Sequence, residues 1–122
     1  RIVMAARYTG IVPIRGLLME LKDRSFNGRI DLVYASPSEA ERFFHKELQE
    51  IGLDGLHTDV VNLTDVEEAL PELEALTRYL GDSYCPDTLP FICGVKEMAQ
   101  PLRAYLKSLG YGRKEILCQR YT

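Results

Sequence analysis

The sequence runs to 122 residues, enough for one domain with a single core and too few for two. Hydrophobic residues make up 46 % and charged residues 27 %, ordinary for a soluble globular protein. A formal net charge of −3 argues against nucleic acid as partner, and no apolar run approaches the roughly 20 residues of a membrane helix.

The first element expected is a strand at residues 2–6, apolar throughout and so buried on both faces. Arg1 leads straight into it without an initiating methionine, which reads as a piece of a longer chain. Pro13 stands where a helix begins, a position that tolerates its missing N–H. Ile14, Leu17, Leu18 and Leu21 then mark the stripe of a helix packed on a sheet. Residues 29–35 make a second strand. Ser38 with Glu41 forms a capping box, so a second helix is expected to start there, with Phe44, Leu48 and Ile51 inward and Gly52 as its stop.

Residues 56–63 give a third strand. Thr64 and Glu67 repeat the capping box, but Pro71 cannot sit inside a helix, which predicts a separate helix over residues 71–80 closed by Gly81. Glu67, Glu68, Glu72 and Glu74 lack metal spacing and read as a solvated helix face. Residues 89–93 form a fourth strand. The helix after it carries Met98, Leu102, Tyr105, Leu106 and Leu109, kinked or delayed by Pro101 and ended by Gly110. Residues 115–118 close the chain as a fifth strand. Three cysteines, Cys85, Cys93 and Cys118, show no C-x-x-C pairing, so free thiols in a reducing cytoplasm are expected. His45 and His57 have no ligand spacing, and no metal site is expected.

Strands alternating with helices predict an α/β domain in three α-β-α layers, Rossmann-like, over residues 1–122. Its five-stranded parallel sheet has the expected order 3-2-1-4-5. In such a sheet a ligand sits outside the carboxyl ends of the strands where strand order reverses. That selects residues 7–12, 36–38 and 93–97. The helix opening at Pro13 aims backbone N–H groups at the first loop, suiting a pyrophosphate.

Thr9-Gly10-Ile11-Val12-Pro13, between a strand and an amphipathic helix, resembles the G-T-G-I-A-P motif of the ferredoxin–NADP reductase family. Cys93-Gly94-Val95-Lys96-Glu97-Met98 resembles that family's C-G-P-P-x-M motif, and Cys118-Gln119-Arg120-Tyr121 its C-terminal ending. Tyr34 and the segment through Glu47-Leu48 match a further family pattern in register. The four motifs come in the family's order across nearly the whole chain.

The resemblance implies the NAD(P)-binding half of a flavin-dependent oxidoreductase. A separate N-terminal barrel would bind FAD or FMN, hydride would pass between nicotinamide and flavin, and electrons would go on to an acceptor such as an iron–sulfur protein. By position, Thr9, Gly10, Ile11 and Pro13 would contact the dinucleotide, with Gly94, Val95 and Met98 across from them. Cys93 would lie beside nicotinamide C4, and Tyr121 would cover the flavin face. The isolated chain is expected to be inactive without that flavin domain, since the cofactors carry the chemistry.

Four departures from the family pattern bear on the site. Tyr8 replaces a glycine, which predicts a narrower pocket or a different turn, while Arg7 beside it offers a phosphate donor. Pro37 replaces an arginine that reads the adenosine ribose. Arg42 could substitute for it, and Ser36 could bond a ribose hydroxyl, so NAD is preferred to NADP. Val95 and Lys96 replace two prolines, and Gln119 a glutamate. Cys93 also suits a plain role as a small buried strand-end residue, and Thr9 a role in capping the helix.

A phosphoacceptor receiver domain needs acidic residues where Ala6-Arg7-Tyr8 and Asn62 stand. A flavodoxin-like carrier wants a Ser/Thr-rich phosphate loop. The alternative left open is a non-catalytic structural or docking domain that keeps the fold and has lost the nucleotide through Tyr8.

Overall fold

Ile2–Arg7 form the central strand β1, and five of its six residues are buried, as suits a strand flanked on both edges and covered on both faces. The computed structural model describes residues 1–36, 44–62 and 70–120. Its other strands are β2 (Ile30–Ser36), β3 (Leu56–Asn62), β4 (Leu89–Gly94) and β5 (Leu117–Arg120). All four pairings are parallel and the order is β3-β2-β1-β4-β5, as expected. Register sets Ala6 between Tyr34 and Cys93, whereas Arg7 pairs with Ala35 of β2 and β1's pairing with β4 stops at Ala6.

The helices are α1 (Ile11–Asp23), α2 (His45–Glu50), α3 (Leu70–Leu80) and α4 (Lys96–Leu109). Alternation along the strands sorts side chains to two faces. Ile2, Met4, Ala6, Leu32, Tyr34 and Cys93 pack with Ile11, Ile14 and Leu18 of α1 and Leu48 of α2. Val3, Ala5 and Ile92 pack with Leu76 of α3 and with Met98, Leu102 and Leu106 of α4. A helical layer therefore covers each face of the sheet. Among the described residues, no helix is long and apolar enough to cross a membrane.

The elements differ from expectation in four places. A 3-10 turn at Tyr8–Gly10 runs directly into α1, which starts at Ile11 rather than at Pro13. Pro13 is still in the first turn, where its missing N–H costs nothing. The helix expected from Ser38 does not run through Phe44, which takes φ +60°. A right-handed helix cannot carry that conformation. Phe44 is held there by the core cluster and by the Arg15 guanidinium, 4.8 Å from its ring centroid. The two capping boxes, Ser38 with Glu41 and Thr64 with Glu67, lie outside the described residues.

Pro101 does not delay α4, which starts at Lys96 and continues to Leu109. Met98, Leu102 and Leu106 are fully buried, and about 1.5–3 kcal/mol for each such side chain outweighs the roughly 3 kcal/mol of a mid-helix proline. β5 arrives two residues late because Arg113–Glu115 form a second 3-10 turn. Gly81 (φ +64°) and Gly110 (φ +114°) close α3 and α4 as predicted.

The amino end of the sheet is tied by charge. Asp31 is fully buried and accepts from Arg1 at 2.9 Å and from Arg29 at 3.0 Å. Arg1 also donates to the carbonyl of Tyr79, whose hydroxyl donates to Asp59 at 3.1 Å. Burial first, and then Asp59, pushes the Tyr79 phenol up to about 12.

Candidate functional site

Strand order reverses at β1: the chain steps to β2 and β3 on one side and returns to β4 and β5 on the other. In open α/β sheets this is where a ligand crevice forms, here beyond the carboxyl ends of β1 and β4. Of the expected site residues, Thr9 is exposed on the turn after β1 and Pro13 and Val95 are half-buried, whereas Gly10, Ile11, Cys93, Gly94 and Met98 are buried where that turn meets the β4–α4 junction. Ser36, fully buried, ends the neighbouring strand β2. Arg42 and Tyr121 lie outside the described residues.

Two glycines set the geometry. A Cβ on Gly10 would overlap the carbonyl oxygen of Cys93 and lie 2.9 Å from its carbonyl carbon. Only glycine lets the turn after β1 lie against the end of β4. A Cβ on Gly94 would meet Met98 Sδ at 3.0 Å and Arg7 Cβ at 3.5 Å. Gly10 also holds the cap position of α1 that Thr9 was expected to fill, and Thr9 is exposed at the turn. The amino end of α1, with its partial positive charge, thus follows directly on the locked turn.

Tyr8 takes φ +53°. It adopts the left-handed conformation that a glycine reaches freely and that other residues reach at about 1–2 kcal/mol. Cys93 is fully buried, packed with Ala6, Ile11 and Ile14. Its carbonyl seats Gly10.

Arg7 is not poised as a phosphate donor. Its Nη2 donates to Glu72 Oε2 at 2.6 Å, and the two side chains are 9 % and 0 % exposed. Burial pushes the Glu72 carboxyl up, the Arg7 guanidinium pulls it down, and the net direction is up. The second carboxyl oxygen, Oε1, is buried without a hydrogen-bond partner. This corrects the reading of Glu72 as part of a solvated acidic face; Glu74 is exposed as expected, and Glu67 and Glu68 lie outside the described residues. The sequence held a signal for it: Glu72 precedes Leu76 by four residues, on the same stripe of α3, and Arg7 alternates with Val3 and Ala5 toward that helix.

Among the described residues, no three His, Cys, Asp or Glu side chains gather as a metal-binding group. A separate groove of about 420 Å³ lies at the sheet edge between α2 and β3, lined by residues including His45, Leu48, Ile51, Leu56 and Val60. It is remote from the switch point.

No protein-family model matches the sequence, and no curated protein matches it significantly. Solved structures do match. Ferredoxin-NADP+ reductase from Plasmodium falciparum superposes with a TM-score of 0.81 over 99 % of this chain and 52 % of its own, at 19 % identity. Flavohemoglobin from Malassezia yamatoensis, with bound FAD and heme, gives 0.79 over 99 % and 31 %, at 16 % identity. The flavohem-like FAD/NAD binding domain of nitric oxide dioxygenase from Vibrio cholerae O1 biovar El Tor gives 0.75 over 98 % and 50 %, at 20 % identity. The chain spans about half of these structures or less. It has the fold of the NAD(P)-binding domain of ferredoxin–NADP reductase-like flavin oxidoreductases.

Proposed function

We propose that this chain is the nicotinamide-dinucleotide-binding half of a flavin-dependent oxidoreductase. It would hold NAD(P)H at the carboxyl ends of β1 and β4 and present the nicotinamide to FAD or FMN on a separate domain. The observation that carries this reading is Gly10 seated on the carbonyl of Cys93, which joins the turn after β1 to the end of β4 at the switch point. The residues present fit a dinucleotide: a close-packed glycine turn runs into a helix amino end, with a second glycine, Gly94, opposite.

When bound, the two cofactors supply the hydride donor and acceptor. The chain's part is orientation and exclusion of water. Residues 8–13 would receive the pyrophosphate and adjoining ribose, and Gly94, Val95 and Met98 would bound the nicotinamide side. Cys93 and Tyr121 are proposed at the reacting ring, Ser36 and Arg42 at the adenosine ribose, with NAD preferred to NADP. An iron–sulfur protein is the proposed onward acceptor, and the cytoplasm the proposed compartment.

The second reading, a docking domain without nucleotide, draws on the buried Cys93 side chain and on Arg7 being engaged by Glu72. Calorimetric titration with NADH and NADPH separates the two. Saturable binding with NADH preferred supports the enzyme reading. Binding of neither nucleotide, together with no NADH-dependent flavin reduction in the protein joined to its flavin domain, favours the docking reading.

A further inference from the structure

We propose that Glu72 is a positioning residue for the nucleotide site: acting through Arg7, it tethers the end of β1 so that Tyr8 keeps its left-handed backbone. This rests on the proposed binding of a dinucleotide at the turn after β1. Tyr8 pays a penalty at φ +53° that a non-glycine residue escapes unless its surroundings over-determine it.

Those surroundings are asymmetric. On the far side of Tyr8, Gly10 lies against the Cys93 carbonyl. On the near side, Arg7 pairs with Ala35 of β2, while the β4 ladder has already stopped at Ala6. Toward α3, Arg7 donates to Glu72 at 2.6 Å, with both side chains withdrawn from solvent. A glycine at position 8 would need no such tether. The carboxylate on α3 and the tyrosine after β1 are therefore two parts of one solution.

The competing role for the pair is exchange, with Arg7 leaving Glu72 to meet an incoming phosphate. Glu72 Oε1 already has no partner. Departure of Arg7 would strand the whole carboxylate in the interior, a strongly unfavourable state for one half of a buried ion pair. A tether fits the burial, and an exchanging donor does not.

The test combines Glu72→Gln, Tyr8→Gly and the double variant, reading NADH affinity by calorimetry and the backbone of Tyr8 from its Hα–HN coupling by NMR. Glu72→Gln is expected to weaken NADH binding about tenfold, the ratio equivalent to the left-handed penalty, and to move the Tyr8 coupling toward negative φ. In the Tyr8→Gly background the same change is expected to weaken binding little further. An equal loss in both backgrounds, or an unchanged Tyr8 coupling in Glu72→Gln, overturns the inference. If Glu72→Gln does not fold, recovery of folding on adding Tyr8→Gly supports the tether, and no recovery overturns it. If the unaltered chain binds neither NADH nor NADPH, the Tyr8 coupling alone decides this point, and NADH-dependent flavin reduction in the protein joined to its flavin domain decides the proposed function separately.

Discussion

At the amino end of the sheet, Asp31 is enclosed by Arg1 and Arg29, which are 28 % and 62 % exposed. At the carboxyl end, among the described residues, Glu72 meets Arg7, itself 9 % exposed, and keeps one oxygen without a hydrogen-bond partner. The amino-end cations keep access to water, so that cluster can relax when one member is lost. The carboxyl-end pair is withdrawn from water on both sides, at 9 % and 0 % exposure. It stands beside a tyrosine in left-handed backbone, and local rules are broken together where the ligand is proposed to arrive.

Deleting each carboxylate tests this contrast most severely. Glu72→Ala removes the carboxylate that Arg7 meets at 2.6 Å in the interior, with an expected loss of about 3–5 kcal/mol. Asp31→Ala lets its arginines turn to solvent, and the expected loss is about 1.5–3 kcal/mol, that of charged hydrogen bonds alone. Urea unfolding of both variants gives the comparison, and equal losses would break it.

Gly10→Ala ranks next. The new methyl overlaps backbone that cannot yield easily, so a loss of about 1–3 kcal/mol is expected, accompanied by loss of NADH binding. Retained affinity in that variant would show that the contact with Cys93 is dispensable to the site.

Acidity sharpens the Glu72 half of the comparison. Burial raises its carboxyl above the ordinary value, so the folded state holds that proton more tightly than the unfolded chain does. Its contribution to stability is then fullest below the ordinary carboxylate range and is lost as pH rises through the raised value. The stability of the wild type minus that of Glu72→Gln should therefore fall as pH rises through that window. A rising difference would mean that Arg7 outweighs burial.

The smallest effect is expected from Tyr8→Gly. Relief of left-handed strain, about 1–2 kcal/mol, is partly offset by about 0.5–1 kcal/mol of added chain entropy. A modest gain of about 0.5–1 kcal/mol in thermal or urea stability follows, and destabilisation would mean that the tyrosine ring contributes packing larger than the strain.

Most of the scaffold was legible because it follows periodicity and punctuation. Ile14, Leu18, Leu102 and Leu106 declare their helical stripes, and Gly81 and Gly110 end helices where left-handed residues are needed. The turn was legible through Thr9-Gly10-Ile11-Val12-Pro13. What escaped depends on partners distant in sequence. Phe44 breaks its helix through contacts with α1 that its neighbours in sequence do not announce. Glu72 lies 65 residues from Arg7, and charge in an acidic stretch masked its place on the apolar stripe. Tyr8 was visible as a departure from glycine, but its adoption of a glycine-like φ required the locked turn to be seen.

The central claim, a dinucleotide site at the carboxyl ends of β1 and β4, is tested most directly by mapping amide NMR shifts while NADH is added. Saturable changes concentrated at residues 8–12 and 94–98 are expected, with the α2–β3 groove around Leu48 and Val60 unmoved. No saturable change, or changes confined to that groove, would contradict it.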